Sequence, residues 1–269
     1  MPSSRKSLDI ELVRHLLFQQ SDWEEVLKLT KSTLVENPSD LSARILFISL
    51  LFFDNDFKRV EQQLKAYFSL NGENFSADYF SILSALQTRV RVFKGETKPH
   101  FLGNEPEWFE RYQDFFKLGI EKSSEELSEL TESLLTNLLQ QEYSFAGENT
   151  VGLANYDTRL PGVIEGVFEG EYTWLCLEEI ESIELPEKPE LLLDYVALPA
   201  QVTVDGKERR GFVLPLYFGS HESTDMEVKI GRGTSWNEEE EINIGKGVQL
   251  FACGDKTLSI FDLKNIQSL

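Results

Sequence analysis

The side chains able to do chemistry are few and scattered in this sequence. Its 269 residues hold three His (His15, His100, His221) and two Cys (Cys176, Cys253). His15 falls on the exposed side of a helical pattern and His100 follows Pro99 in a loop, so both read as structural. His221 follows Ser220 in FGSHES, but adjacent strand residues point to opposite faces and do not make a nucleophile–base pair. Neither H-x3-H nor C-x2-C spacing occurs, so a zinc site lacks support. The cysteines sit in separate apolar, strand-like runs, which argues against a disulfide framework and fits a reducing cytoplasm. Gly231-Arg232-Gly233-Thr234 lacks the preceding strand, later glycine and helix of a nucleotide loop. The carboxylates Glu238–Glu241 are consecutive and do not converge on one point, so they read as a solvated loop. Asp157 and Arg159 are the most interesting polar pair. They form a buried ion pair, or the aspartate satisfies backbone groups at a junction; either structural reading is favoured over a catalytic one. No catalytic residue, metal ligand or cofactor is expected. The alternative is a small-ligand site or an enzyme in the second half, resting on Asp157, Arg159 and His221.

The elements that must position these residues change character along the chain. The turning point is Asn155 to Trp174, NYDTRLPGVIEGVFEGEYTW. It reads as a short helix capped by Thr158, with Val163, Ile164, Val167 and Phe168 as its apolar face and Gly170 closing it in a left-handed conformation. Tyr172, Trp174 and Cys176 then alternate as a strand. Before this stretch, apolar residues recur at helical spacing. Leu8–Phe18 predicts a helix, and others start at Ser21-Asp22, Ser39-Asp40 and Asp54-Asn55-Asp56, with stops at Asn37-Pro38 and Asn71-Gly72. Further helices are predicted over Ser76–Phe93, Pro106–Leu118 and Ser124–Tyr143, the last beginning in the acidic EKSSEELSELTES segment. Trp23 and Phe57 lie 34 residues apart, as do Val26 and Val60, Leu34 and Phe68, Leu16 and Leu50, and Leu17 and Leu51. That period matches a degenerate tetratricopeptide-like repeat, whose stacked hairpins leave a concave surface.

Polar, glycine-bearing FAGENTVG, 145–152, marks the boundary between a helical-repeat part, 1–146, and a smaller α+β part with mostly antiparallel strands, 151–269. In the second part Ile180–Leu185 predicts a strand, and Leu191 to Asp194 a turn of helix. Val196–Val204 and Gly211–Phe218 predict a hairpin around Asp205-Gly206, with Pro199 and Pro215 placing its arms at edges or bulges. Val248–Cys253 and Leu258–Phe261 predict a closing hairpin around Gly254-Asp255, and Leu269 is expected to be paired. The fold class is therefore α+β.

Composition narrows the partners. With 41% hydrophobic residues and 19 Phe, the chain can build proper cores. A run of 18 apolar residues is lacking, so no transmembrane helix is expected, and the N-terminus lacks a secretion signal. The net charge of −20 is shared by both halves. It repels phosphate backbones and anionic lipid, so neither nucleic acid nor a membrane is an expected partner. A basic or amphipathic protein partner suits this field, although an acidic surface also serves solubility alone.

A set of ordered motifs resembles a known family. They are VFKGETKPHFLGNEPEWF over Val92–Phe109, Asp157-x-Arg159-Leu160, Gly170-x-Tyr172-x-Trp174, Leu193-Asp194 leading to Pro199-Ala200, Pro215-x-Tyr217, Gly219-Ser220 and Thr234-Ser235-Trp236. In order and spacing they resemble the ImpE/TagJ (SciE-type) family of accessory proteins encoded with bacterial type VI secretion systems. Two phrases depart from its pattern: Pro161-Gly162 reverses a Gly-Pro, and Gly247-Val248-Gln249 lacks a following arginine. The resemblance implies a cytoplasmic, non-enzymatic adaptor that contacts a helix of the sheath small subunit and acts around sheath assembly or recycling, with the AAA+ unfoldase as an indirect partner. Binding hot spots are typically aromatic or arginine. The expected partner-binding residues are Tyr156, Asp157, Arg159, Tyr172, Trp174 and Trp236.

Overall fold

The computed structural model describes residues 8–20, 22–71, 77–118, 124–145, 148–237 and 242–269. The acidic run Glu238–Glu241, residues 119–123 and 146–147, and the predicted helix limits at Ser21, Gly72 and Ser76 lie outside them. The chain opens with five helices, α1 (Ile10–Gln19), α2 (Trp23–Glu36), α3 (Leu41–Phe53), α4 (Phe57–Asn71) and α5 (Asp78–Phe93). Asp9, Asp22 and Asp40 cap the first three by accepting from Leu12, Glu25 and Ala43 N–H, each cap being worth about 1 kcal/mol. Successive helices pack in chain order. The 34-residue period appears as shared burial at three pairs, Val26 and Val60, Leu16 and Leu50, and Leu17 and Leu51, all core. Trp23 and Phe57 open α2 and α4, but Phe57 is only partly buried, and Phe68, opposite Leu34, is exposed. Residues Leu46 to Phe53 of α3 are buried without a break, so this helix lies at the centre of the stack.

Two more helices follow, α6 (Phe109–Leu118) and α7 (Ser124–Leu138). The predicted last helix ran to Tyr143, but it stops at Leu138. Its apolar stripe ends there because the next positions on that face are Gln141 and Glu142. Tyr143 instead lies in β2 (Glu142–Phe145), paired with Thr150 of β3 (Glu148–Val151) and with Ser268 of β14 (Ile266–Ser268). The polar 145–152 segment thus falls at the β2–β3 hairpin.

The large sheet has nine strands. Besides β2, β3 and β14, these are β1 (His100–Phe101), β5 (Val163–Phe168), β6 (Glu171–Cys176), β7 (Ile180–Glu184), β8 (Leu198–Val204) and β9 (Lys207–Val213), in the order β1-β6-β5-β9-β8-β7-β14-β2-β3. Only the β1–β6 pair is parallel. Two small sheets join β4 (Leu153–Asn155), β12 (Leu250–Cys253) and β13 (Lys256–Ser259), and β10 (Thr234–Asn237) with β11 (Ile244–Gly247). The chain end is tied in, with Leu269 N–H donating to Glu142 O.

In place of the predicted short helix with its Thr158 cap, residues 158–162 are turns and Val163–Phe168 is the strand β5. All six residues of β5 are buried, so the sheet's two-residue alternation is invisible and the apolar spacing imitates a helix face. Thr158 caps no helix; it exchanges hydrogen bonds with the Asn243 backbone. Gly170 is left-handed as expected, at φ 83 beside Glu169 at φ 54, but in a two-residue turn that pairs Phe168 with Glu171. Asp205-Gly206 makes the same kind of turn, and β9 starts directly after it at Lys207. β9 ends at Val213, earlier than predicted, because the chain leaves the sheet toward Pro215, which has no N–H to give. The cores run across both parts. Val163, Val167, Tyr172 and Trp174 pack in one cluster with the buried residues of α1 to α5.

Candidate functional site

The sharp bend after β4 places Asp157 and Arg159 inside the protein, at 0% and 6% exposure. One Asp157 oxygen accepts from Arg159 N at 2.9 Å and Nε at 2.8 Å. The other accepts from Arg159 Nη2 at 2.5 Å and from Gly245 N at 2.9 Å. The ion pair and the backbone-satisfying role are therefore both present in one carboxylate. Arg159 also donates to Gly245 O and lies 5.3 Å from the centroid of Phe93 on α5. Both polar heads are engaged within the fold.

A second buried ion pair sits beside it. Glu165, at the middle of β5, is 0% exposed. Arg89 on α5 reaches it with Nε at 2.6 Å and Nη2 at 2.5 Å, and Nη2 also donates to Leu216 O. Tyr172 OH donates to Glu165 Oε1 and accepts from Trp174 Nε1 at 2.8 Å. Burial, and then the Glu165 charge, raise the Tyr172 pKa well above the usual phenol range, which keeps it a donor. Gln249 bridges Glu165 to Asn155, and Asn155 Oδ1 accepts from Asp157 N and Tyr217 OH. One polar seam thus runs from Trp174 through both ion pairs and joins the helices to the sheet.

The seam takes in four of the six expected partner contacts. Tyr172 and Trp174 are 1% exposed, with their polar atoms turned inward, so a partner docking on the folded surface touches neither. Asp157 and Arg159 are buried likewise. Of the six expected contacts, Tyr156 and Trp236 reach the surface. Arg89, Glu165 and Gln249 were missed. Arg89 was signalled by its place on the apolar stripe of Ile82, Leu86 and Phe93, and Glu165 by its place inside an apolar run.

The histidines are dispersed. His15 is exposed near Gln20, and His100 lies in β1 rather than a loop. His221 lies in a 3-10 turn, Ser220–Glu222, not a strand. Ser220 Oγ donates to Tyr217 O and accepts from Gly247 N, so it is engaged elsewhere. His221 Nδ1 faces Asn55 Nδ2 at 3.0 Å, across to the α3–α4 turn. Accepting there places the ring proton on Nε2. Burial, with Lys229, Lys246 and Arg89 against Glu222, lowers this histidine's pKa from 6.5. The unfolded chain therefore takes the proton first as pH falls. Stability is expected to decline on acidification from about pH 7.5 through the unfolded pKa, and to level off once the folded pKa is passed. Denaturant midpoints measured across that range should show a shallower slope in His221→Gln. Among the described residues no three His, Cys, Asp or Glu gather to hold a metal, and no helix is long and apolar enough to cross a membrane.

Two of the concave features among the described residues lie apart from the Arg89–Glu165 pair. A groove of about 940 Å³ lies between α1, α3 and the 188–195 segment, with Leu17, Phe18, Ile45, Leu46 and Leu192 on its walls and Glu11, Gln19 and Lys188 among its polar lining. Leu191, which also lines it, is 58% exposed. A smaller cleft of about 310 Å³ is lined by Tyr156, Trp236, Asn243, Leu250 and Thr257.

A stack of helical hairpins set on a mixed sheet, with its polar chemistry spent internally and a groove left open, defines an α+β protein of the helical-repeat class. Residues 147–267 match the family described as ImpE protein. The chain is 26% identical to the type VI secretion system accessory component TagJ of Pseudomonas aeruginosa, over 98% of this chain and 93% of that protein. The crystal structure of protein VPA1032 from Vibrio parahaemolyticus shares the fold at a TM-score of 0.84 and 24% identity, covering 96% of this chain and 97% of that one. The match to the ImpE family model and the likeness to TagJ agree with the resemblance carried by the ordered motifs.

Proposed function

We propose that this protein is a non-enzymatic accessory component of a bacterial type VI secretion system, acting in the cytoplasm as an adaptor. It holds a helix of the contractile sheath small subunit, and it meets the AAA+ unfoldase only indirectly, during sheath assembly or recycling. The observation that carries this reading is the groove beside α1 and α3. Its walls are apolar and its rim polar, the pattern that accepts the apolar face of an amphipathic helix. The match of residues 147–267 to the ImpE family and the likeness to TagJ support the secretion context.

The test is calorimetric titration of the full chain with a peptide from the N-terminal helix of the sheath small subunit. Micromolar binding with a negative heat-capacity change is expected. Leu191→Asp, at an exposed groove position, should weaken it at least about tenfold without unfolding the protein. No heat at any attainable concentration removes the adaptor reading. Binding that ignores Leu191→Asp removes the groove as the seat of the helix.

A further inference from the structure

The second cleft is built differently from the groove and points to a different guest. Its two aromatic rings are held at an angle to one another by their supports. Tyr156, 39% exposed, is anchored by its hydroxyl to Thr257 Oγ1 at 3.0 Å. The half-buried Trp236 leans on Tyr217, with ring centroids 5.6 Å apart. Tyr217 is itself fixed inside, donating to Asn155 Oδ1 and Leu250 O and accepting from Leu250 N. Tyr156 and Trp236 therefore meet at 6.3 Å and 64°, leaving an angular notch rather than a closed stack. Two polar handles at this notch are unused: among the described residues, neither Trp236 Nε1 nor the Asn243 side-chain amide has a hydrogen-bond partner.

The electrostatics select the sign of the guest. Among the described residues, the five that line the cleft carry no charge. Residues 151–269 carry 22 acidic against 10 basic side chains, and Glu238–Glu241 stand between Trp236 and Asn243 in sequence. Aromatic faces attract cations, and an acidic field raises the local concentration of positive ligands while repelling anions.

We propose that the Tyr156–Trp236 cleft receives one arginine side chain from an extended basic protein segment, at a site separate from the helix groove. The guanidinium lies against the ring faces, and Trp236 Nε1 donates to a carbonyl of the same segment. Arginine is preferred to lysine because its planar group stacks on a ring and is more weakly hydrated.

The experiment uses the full chain labelled with nitrogen-15 and an acetylated, amidated Gly-Gly-Arg-Gly-Gly peptide. An otherwise identical peptide carries citrulline, which keeps the shape and removes the charge. The chain has four Trp, hence four indole N–H signals, and those of Trp23, Trp108 and Trp174 report an intact fold. The expected result is a saturable shift of the Trp236 indole signal, with the citrulline peptide bound about threefold or more weakly. Tyr156→Leu should weaken the arginine peptide toward the citrulline value, and Leu191→Asp should change nothing. Equal affinity for the two peptides overturns the proposal, as does an unmoved Trp236 signal at the solubility limit of the arginine peptide. Because the groove variant serves only as a control, this test stands or falls independently of the adaptor reading.

Discussion

Glu165→Gln is expected to lower the free energy of unfolding by about 3–5 kcal/mol, the usual cost of removing one partner from a buried pair. The variant keeps the shape of the side chain, so the loss reports charge rather than volume. Arg89 would remain on α5 at 9% side-chain exposure, with its guanidinium facing a neutral amide. Such a loss is a large share of the ~5–15 kcal/mol that stabilises folded proteins. Urea midpoints followed by tryptophan fluorescence would measure it. The double variant Arg89→Met with Glu165→Gln should recover much of the loss, because no unpaired charge is then left inside. Recovery should be incomplete. Leu216 O loses a donor, and Phe93 and Phe218 lose the guanidinium 5.8 and 5.7 Å from their ring centroids. If the two single losses simply add, the pair is not coupled and the seam is not the joint between α5 and the sheet.

The location of that joint explains which parts of the molecule were legible in the sequence. Helix starts were readable because a cap is local: Asp22 and Asp40 need only an N–H three residues on. The repeat was readable because Val26 and Val60 fill equivalent core positions at a fixed spacing. The hairpins at Asp205-Gly206 and Gly254-Asp255 were readable because few residues besides glycine, asparagine and aspartate take positive φ cheaply. β5 was not. Its burial on both faces comes from α5 on one side and the second core cluster on the other, and that is a tertiary fact. The same reason hid the site. Arg89 and Glu165 each looked like an isolated charge in an apolar pattern, and their partner lies 76 residues away. The groove was illegible as well, since its walls join α1 to the 188–195 segment and its apolar residues read simply as core. Motif spacing pointed to the family whose model matches residues 147–267, yet four of the six motif residues chosen as contacts turned out to be interior. Strong motifs in this chain mark the seam that holds it together more than the surface that meets a partner.

Asp157→Asn should have an effect as large, and it decides between the two roles open to that residue. In the folded protein one oxygen takes two donors from Arg159, and the other takes Arg159 Nη2 and Gly245 N. An asparagine offers a single acceptor oxygen. Whichever way the amide turns, its NH2 faces donors, and Arg159 at 6% exposure keeps a charge without a counter-ion. The expected loss is about 3–5 kcal/mol, accompanied by loosening of the contact between the 157–159 bend and β11. Amide hydrogen exchange should speed up at Gly245 or at Arg159, according to which N–H the NH2 group faces, because that N–H loses its acceptor. A catalytic or ligand-binding aspartate predicts the opposite pattern: unchanged stability and unchanged exchange, with only activity or ligand affinity lost. The measurement therefore separates a structural carboxylate from a functional one without knowing any substrate.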